Sequence, residues 1–301
     1  MKKTLFLFVL LGQFAFAQHV KYGSVQLLEG TEKGGFFHPV FSPQGTFLLT
    51  TAENFTGLNK HTLGTNSIER LTSDLGAGFG VRISNDENTI LYRRTEIVNN
   101  LRHSSLQQFS IPAKTTVELE SATREMLVPQ FAENAPMYLR GERLVRGNNA
   151  SGTPTAFINI ENRKMVLYAG NTRTVLTPNG EDASYFWASV SPDQKRIVYT
   201  TALKGTFVAD ITGQNVVSLG TLNAPKWLNN EWIIGMDDKD DGYNVTSSVI
   251  VVSTIDGKVR QTLETPQISI AMFPAASPDA AKIAFNTGEG QIYLMNIEIS
   301  K

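Results

Sequence analysis

The densest chemistry in the chain lies at Met236 to Asn244, MDDKDDGYN, where Asp237, Asp238, Asp240 and Asp241 precede Gly242 and Tyr243. Several carboxylates in a turn suit Ca²⁺, which takes six to eight oxygen ligands in a flexible loop. Asp237, Asp241 and Gly242 fit positions 1, 5 and 6 of a calcium-binding loop, but position 3 is Lys239 and position 12 is Ser248. The spacing therefore offers Asp237 and Asp241 as candidate Ca²⁺ ligands. The plain alternative is a solvated hairpin tip. No other cofactor is expected.

The remaining chemistry is sparse. His19, His38, His61 and His103 stand at scattered positions without a paired-histidine spacing, which argues against zinc. No Gly-x-Ser-x-Gly elbow occurs. The glycine-rich GAGFG at 76–80 reads as an inter-blade loop rather than a phosphate cradle. The absence of Cys removes disulfides, thiolate metal sites and cysteine nucleophiles together. No catalytic set can be assembled, so the chain reads as a binding protein rather than an enzyme.

The elements that must position these residues are announced by a repeat. Phe186 to Thr201, FWASVSPDQKRIVYTT, is an apolar run, a Ser-Pro-Asp turn and a second apolar run. That is a β-hairpin, with Pro192 presetting φ and Asp193 able to accept from nearby amides. The phrase returns around Ser42 (HPVFSPQGTFLLTT) and Ser277 (FPAASPDAAKIAFNT), and more weakly around Ser84. Further copies without Ser-Pro fall at Glu133-Asn134 and Asn229-Asn230. The intervals, about 42, 49, 58, 38 and 48 residues, are those of four-stranded propeller blades. Third and fourth strands follow each hairpin, and no sustained 3.6-residue period appears, so almost no helix is expected.

Six copies predict six blades. The last stops after its third strand, QIYLMNIEIS, while residues 20–29, VKYGSVQLLE, look like a fourth strand without predecessors. The economical arrangement is a ring in which this N-terminal segment completes the last blade and leaves no open sheet edge. Ahead of it, MKKTLFLFVLLGQFAFA has a basic start, an apolar core and an Ala-Phe-Ala end, the pattern of a secretory signal over residues 1–17. Residues 18–301 then form one domain, expected in the periplasm or secreted. No lipobox cysteine follows, and no later stretch is long enough to insert in a membrane. Removing residues 1–17 takes away only Lys2 and Lys3, leaving 25 basic and 28 acidic side chains. That balance disfavours nucleic acid as a partner.

The phrases HPVFSPQGTFLLTT, ASVSPDQKRIVYTT and PAASPDAAKIAFNT resemble the repeat of TolB-like six-bladed β-propellers, the WD40-like or PD40 repeat family. The resemblance covers nearly all of residues 18–301. It implies the fold and leaves function open, because similar propellers serve as periplasmic binding partners and as domains of peptidases. The chain departs from the peptidase pattern, in which a hydrolase domain is attached to the propeller, so a binding role is expected rather than peptidase activity.

Strand alternation sorts the loops. Those joining strands two and three share a face with those joining successive blades, and they are the longer and more varied ones. The Ser-Pro turns occupy the other face. Variable loops on a rigid scaffold usually carry binding. The candidate binding residues are Phe36, His38, Arg93, Arg94, His103, Glu181, Asp182, Tyr185, Trp187, Asp237, Asp238, Asp240, Asp241 and Tyr243. In the six-blade count the acidic loop belongs to blade five, across the axis from Arg93 and Arg94 of blade two. Aromatics at first-strand starts, including Phe37, Phe79, Phe186 and Phe273, serve either packing or a binding platform. Three roles are compatible with this scaffold: an extracytoplasmic protein- or peptide-binding module, a small-molecule or glycan binder assisted by Ca²⁺, or a lyase or hydrolase in the central mouth.

Overall fold

A computed structural model describes residues 19–147 and 155–300. The expected signal segment, 1–17, and most of the loop at 146–154 lie outside the described residues. Among the described residues the architecture is all-β: 26 strands in seven antiparallel sheets, with one short 3₁₀ turn at Glu53–Phe55. Five sheets have four strands, and two have three among the described residues.

Seven blades, rather than six, close the ring. The extra blade is the fourth, Phe157–Glu161, Lys164–Ala169 and Thr172–Leu176, lying between the turns at Glu133 and Ser191. Its hairpin turns at Asn162 and Arg163, both with positive φ, as a two-residue turn requires. No Ser-Pro marks it. The third blade, Leu127–Ala132, Ala135–Arg140 and Arg143–Arg146, is built the same way. Two compact blades therefore fill the interval that the repeat spacing assigned to one. The acidic hairpin accordingly belongs to blade six.

Packing follows from strand alternation. The second strand of each blade is buried on both faces, so its sequence is a continuous apolar run rather than an alternating one. In blade one, Phe47 and Leu49 face blade two while Leu48 faces blade seven. In blade five, Ile197 and Tyr199 face blade four while Val198 faces blade six. Seven apolar clusters result, one for each interface between neighbouring blades.

The closing strand is His19–Leu27. It pairs antiparallel with Ile292–Ser300 as the outermost strand of blade seven, from His19 opposite Ser300 to Leu27 opposite Tyr293. Val20 is buried in the cluster shared by blades six and seven.

One face of the ring is made of the Ser turns. The Ser191 hydroxyl donates to Asp193 Oδ1 (2.6 Å) and accepts from the amide of Arg196 (3.0 Å). Ser277, Asp279 and Lys282 repeat this at 2.5 and 2.8 Å. Amides of these turns also reach the next blade: Gln44 N donates to Glu87 (2.7 Å), Asp86 N to Asn134 (3.1 Å) and Asp193 N to Asn230 (3.0 Å). At Asn229 the turn is held by the side chain, whose Oδ1 accepts from the amides of Glu231 and Trp232.

Candidate binding face and axial channel

The opposite face carries the long loops and the mouth of the axial channel. The first strands of blades one, five, six and seven each contain a bulge at a residue with positive φ: His38 (+52°), Trp187 (+49°), Ala224 (+48°) and Phe273 (+51°). Gly80 (+70°) takes the equivalent place in blade two. Positive φ is uncommon for non-glycine residues, and bulges re-aim side chains at functional rims. In blades one, five and seven the bulged residue is a ring, His38, Trp187 or Phe273, whereas Ala224 of blade six is buried.

A continuous ladder of rings results. Phe273 lies 4.2 Å from His38, His38 stacks on Phe55 at 4.5 Å, and Phe55 meets Phe79 edge-on at 5.1 Å. The Arg93 guanidinium then covers Phe79 at 4.4 Å, a cation–π contact. The ladder crosses blades seven, one and two. It opens into a groove of about 450 Å³ lined by Phe55, Leu75, Phe79, Arg93 and Arg102. The GAGFG loop shapes this groove by close approach: a Cβ on Gly78 would come within 2.5 Å of the Thr51 side chain.

Electrostatics at the mouth are cationic. Burial holds the His38 imidazole down to about 4, with the Lys226 charge adding to the effect. Burial and the nearby Arg102 bring Arg93 down to about 10, so it remains charged at neutral pH. Deeper in the channel, Arg82 and Lys226 stand two residues beyond the positive-φ positions of blades two and six. Both side chains are exposed to the solvent of the channel, while the surrounding blades crowd them from every side. Enclosure pushes both cations below their ordinary ranges, and for Lys226 the Arg82 charge pushes further. Lys226 thus senses Arg82 across the axis.

The structure distributes the sequence-predicted residues over several places. His38 and Arg93 belong to the ladder. Arg94, one step along the strand, points the other way and pairs with Glu96 (2.8 Å) and Asp74 (4.0 Å). His103 is held on the same hairpin by a contact of 3.2 Å between its Nδ1 and the Leu101 carbonyl. Trp187, 42% exposed, lies against Phe186 at the mouth. Phe36 packs edge-on against His61 at 5.0 Å, between blades. Tyr185 is 2% exposed, and its hydroxyl accepts from Asn179 N and donates to the Gly180 carbonyl. It braces a loop from inside and presents no surface to a partner. Glu181 faces Lys164 at 3.5 Å, and Asp182 is exposed beside it.

The acidic hairpin of blade six stands apart from the ladder. Asp237 pairs with Arg260 (2.8 Å), and Asp238 accepts from Asn223 (2.8 Å). Asp240 and Asp241 accept from the amides of Gly242, Tyr243 and Asn244 and so shape the tip. Tyr243 is 94% exposed at that tip. No group of three metal-ligating side chains is found among the described residues. Residues that the sequence reading missed are Arg82, Lys226, Phe55 and Arg102. For the first two a signal existed: both stand two residues before the turn position that opens each hairpin, a register visible once the repeats are aligned.

No family model and no curated protein matches this chain. Solved structures match in fold. TolB from Acinetobacter baumannii aligns over 80% of this chain with 15% identity and a TM-score of 0.53, and the chain spans 56% of that protein's length. An oligogalacturonate lyase in complex with manganese aligns over 93% of this chain and 96% of its own, with 14% identity and a TM-score of 0.59. A chain of a Mitotic Checkpoint Complex aligns over 98% of both, with 9% identity and a TM-score of 0.60. At these identities the likeness is one of β-propeller fold. No helix among the described residues is long and apolar enough to cross a membrane.

Proposed function

We propose that this chain is an extracytoplasmic β-propeller that binds a protein or peptide on its long-loop face. The observation that carries the reading is the Phe273–His38–Phe55–Phe79–Arg93 ladder, open to a groove on that face. Aromatic and arginine side chains are the residue types that dominate interface energetics. The same face holds nine of the fifteen exposed large apolar residues among those described, including Ile97, Val98 and Leu101 on the blade-two hairpin and Leu203 and Tyr243 on others. Concentration of that kind marks interaction sites. A chain of similar fold sits in a multiprotein checkpoint complex, which supports the use of this scaffold for docking. The extracytoplasmic placement rests on the signal pattern of residues 1–17.

A partner would need roughly 800 Å² from this side, a standard half-interface. The test is crosslinking capture in cells with three baits: the parent, Phe79→Ala with Arg93→Ala, and Gln44→Ala with Asp279→Ala on the Ser-turn face. The proposal expects one set of specific partners lost with the first pair and kept with the second. Loss with the second pair alone would overturn it.

A further inference from the structure

The channel cations have no counter-charge. Among the described residues neither Arg82 nor Lys226 forms an ion pair. Arg82 donates only to neutral oxygens, Gln130 Oε1 at 3.4 Å and the Val81 carbonyl at 3.2 Å. Two donors in the same register are also unsatisfied. With its oxygen turned to Arg82, Gln130 leaves its buried Nε2 without a hydrogen-bond partner in the protein, and Ser189 Oγ is likewise buried and unpartnered. Gln130 and Ser189 stand on the first strands of blades three and five at the step that carries Arg82 in blade two and Lys226 in blade six.

Such a set is costly as it stands. Buried polar groups are almost always bonded, and each exception calls for an explanation. Like charges facing one another in an enclosed space repel, and low-dielectric walls focus their field. The chain as a whole is not basic, with 27 basic and 28 acidic side chains, so the positive channel is local. Both costs are removed by one kind of occupant. A dianion satisfies two cations, and its oxygens accept from an amide NH₂ and a hydroxyl.

We propose that the axial channel is a binding site for a small oxyanion ligand, a carboxylate or a phosphate of about two charges, held between Arg82 and Lys226 with Gln130 and Ser189 as further donors. Arg82 supplies the planar fork that matches either group, and Lys226 a point charge from the opposite wall. The site is separate from the ring ladder, so its failure and the failure of the docking-face reading are told apart by different variants.

The experiment is isothermal titration and melting with sodium citrate and with sodium phosphate, each against sodium chloride at equal ionic strength. The expected result is one saturable site for at least one of the two anions, with a rise in Tm that follows occupancy. Citrate alone identifies a carboxylate ligand, and phosphate alone a phosphoryl one. Arg82→Met with Lys226→Met should weaken that binding at least tenfold, while Lys21→Met with Lys33→Met, an equal change of charge outside the channel, should leave it unchanged. Without added anion, Lys226→Met should melt at or above the parent temperature, because it removes an unpaired like charge. Non-saturable effects matching chloride, binding retained in the channel variant, or a Lys226→Met protein melting several degrees lower would each overturn the proposal.

Discussion

The two faces of the ring are built by opposite means. On the Ser-turn face, short side chains bond their own turn and its neighbour: Ser191 holds Asp193 and Arg196, and Gln44 reaches Glu87 on the next blade. On the long-loop face, large side chains are held by ring contacts and left facing solvent, as with Phe79, 52% exposed beneath Arg93. One face spends its side chains on closing the ring, and the other keeps them available. A propeller that binds through one rim needs this division, because the fixed rim lets the other vary without loss of the fold.

Substitutions can break the contrast. The largest stability effect is expected on the fixed face. Ser191→Ala and Ser277→Ala each remove a hydroxyl that satisfies backbone amides, and each should cost about 1–3 kcal/mol in denaturant unfolding. Phe79→Ala with Arg93→Ala should instead change stability by about 1 kcal/mol or less, since surface changes are usually small. The same pair should weaken a captured partner by about 2 kcal/mol or more. If the two sets of variants were equally destabilising, the division between the faces would be refuted.

The pH dependence of stability should separate the faces as well. His38 at the mouth and His61 between blades one and seven are held neutral by burial, each down to about 4 from an ordinary 6.5. The unfolded chain protonates them first. Their contribution is therefore complete above pH 6.5 and is lost as pH falls toward 4. On the Ser-turn face, the Thr254 hydroxyl and the Lys258 amide hold the Asp256 carboxyl down to about 2 from an ordinary 3.8. Asp193 and Asp279 are lowered in the same way by Ser191 and Ser277. Their contribution is present above about pH 4 and is lost as pH falls toward 2. Melting temperature should thus fall in two windows. His38→Gln with His61→Gln should flatten the upper window alone, and Asp193→Asn with Asp256→Asn part of the lower one. A single acid transition unaffected by the histidine pair would contradict this.

The smallest expected effect lies in a single turn. The residue after the turn has positive φ in four blades: Gly45 (+74°), Glu87 (+58°), Gln194 (+60°) and Ala280 (+55°). The left-handed region suits glycine, and the Glu87 and Gln194 side chains make bonds that reward their presence. The Ala280 side chain ends at Cβ and has no polar atom to do the same. Ala280→Gly should therefore leave stability unchanged or raise it by up to about 1 kcal/mol, read from the urea midpoint. A clear loss would show that the apolar packing of Ala280 outweighs the relief.

Much of this was legible in the chain. The Ser-Pro phrases located the hairpins, and the unpaired segment at 20–29 announced the closing strand. Blade four was hidden because its turn, Asn162-Arg163, carries no Ser-Pro-Asp and it has three strands rather than four among the described residues. Two compact blades then imitate one long interval. In the site, aromatic type did not reveal direction. Tyr185 and Phe79 look alike as residues near a strand start, yet the Tyr185 hydroxyl finds partners inside a loop while Phe79 turns out beneath Arg93. Arg82 and Lys226 escaped notice because their shared register shows only when the repeats are aligned on their turns, and neither of their blades carries the Ser-Pro phrase. The acidic cluster drew attention by density, but its carboxylates divide among Arg260, Asn223 and the turn amides.

Docking on the long-loop face would leave a footprint in backbone exchange. Hydrogen–deuterium exchange of the protein with and without its captured partner reads that footprint. Exchange should slow at residues 52–57, 73–81 and 95–103, with the turns at 42–45, 191–194 and 277–280 unchanged. Protection confined to those turns, with the ladder segments exchanging as in the free protein, would contradict it.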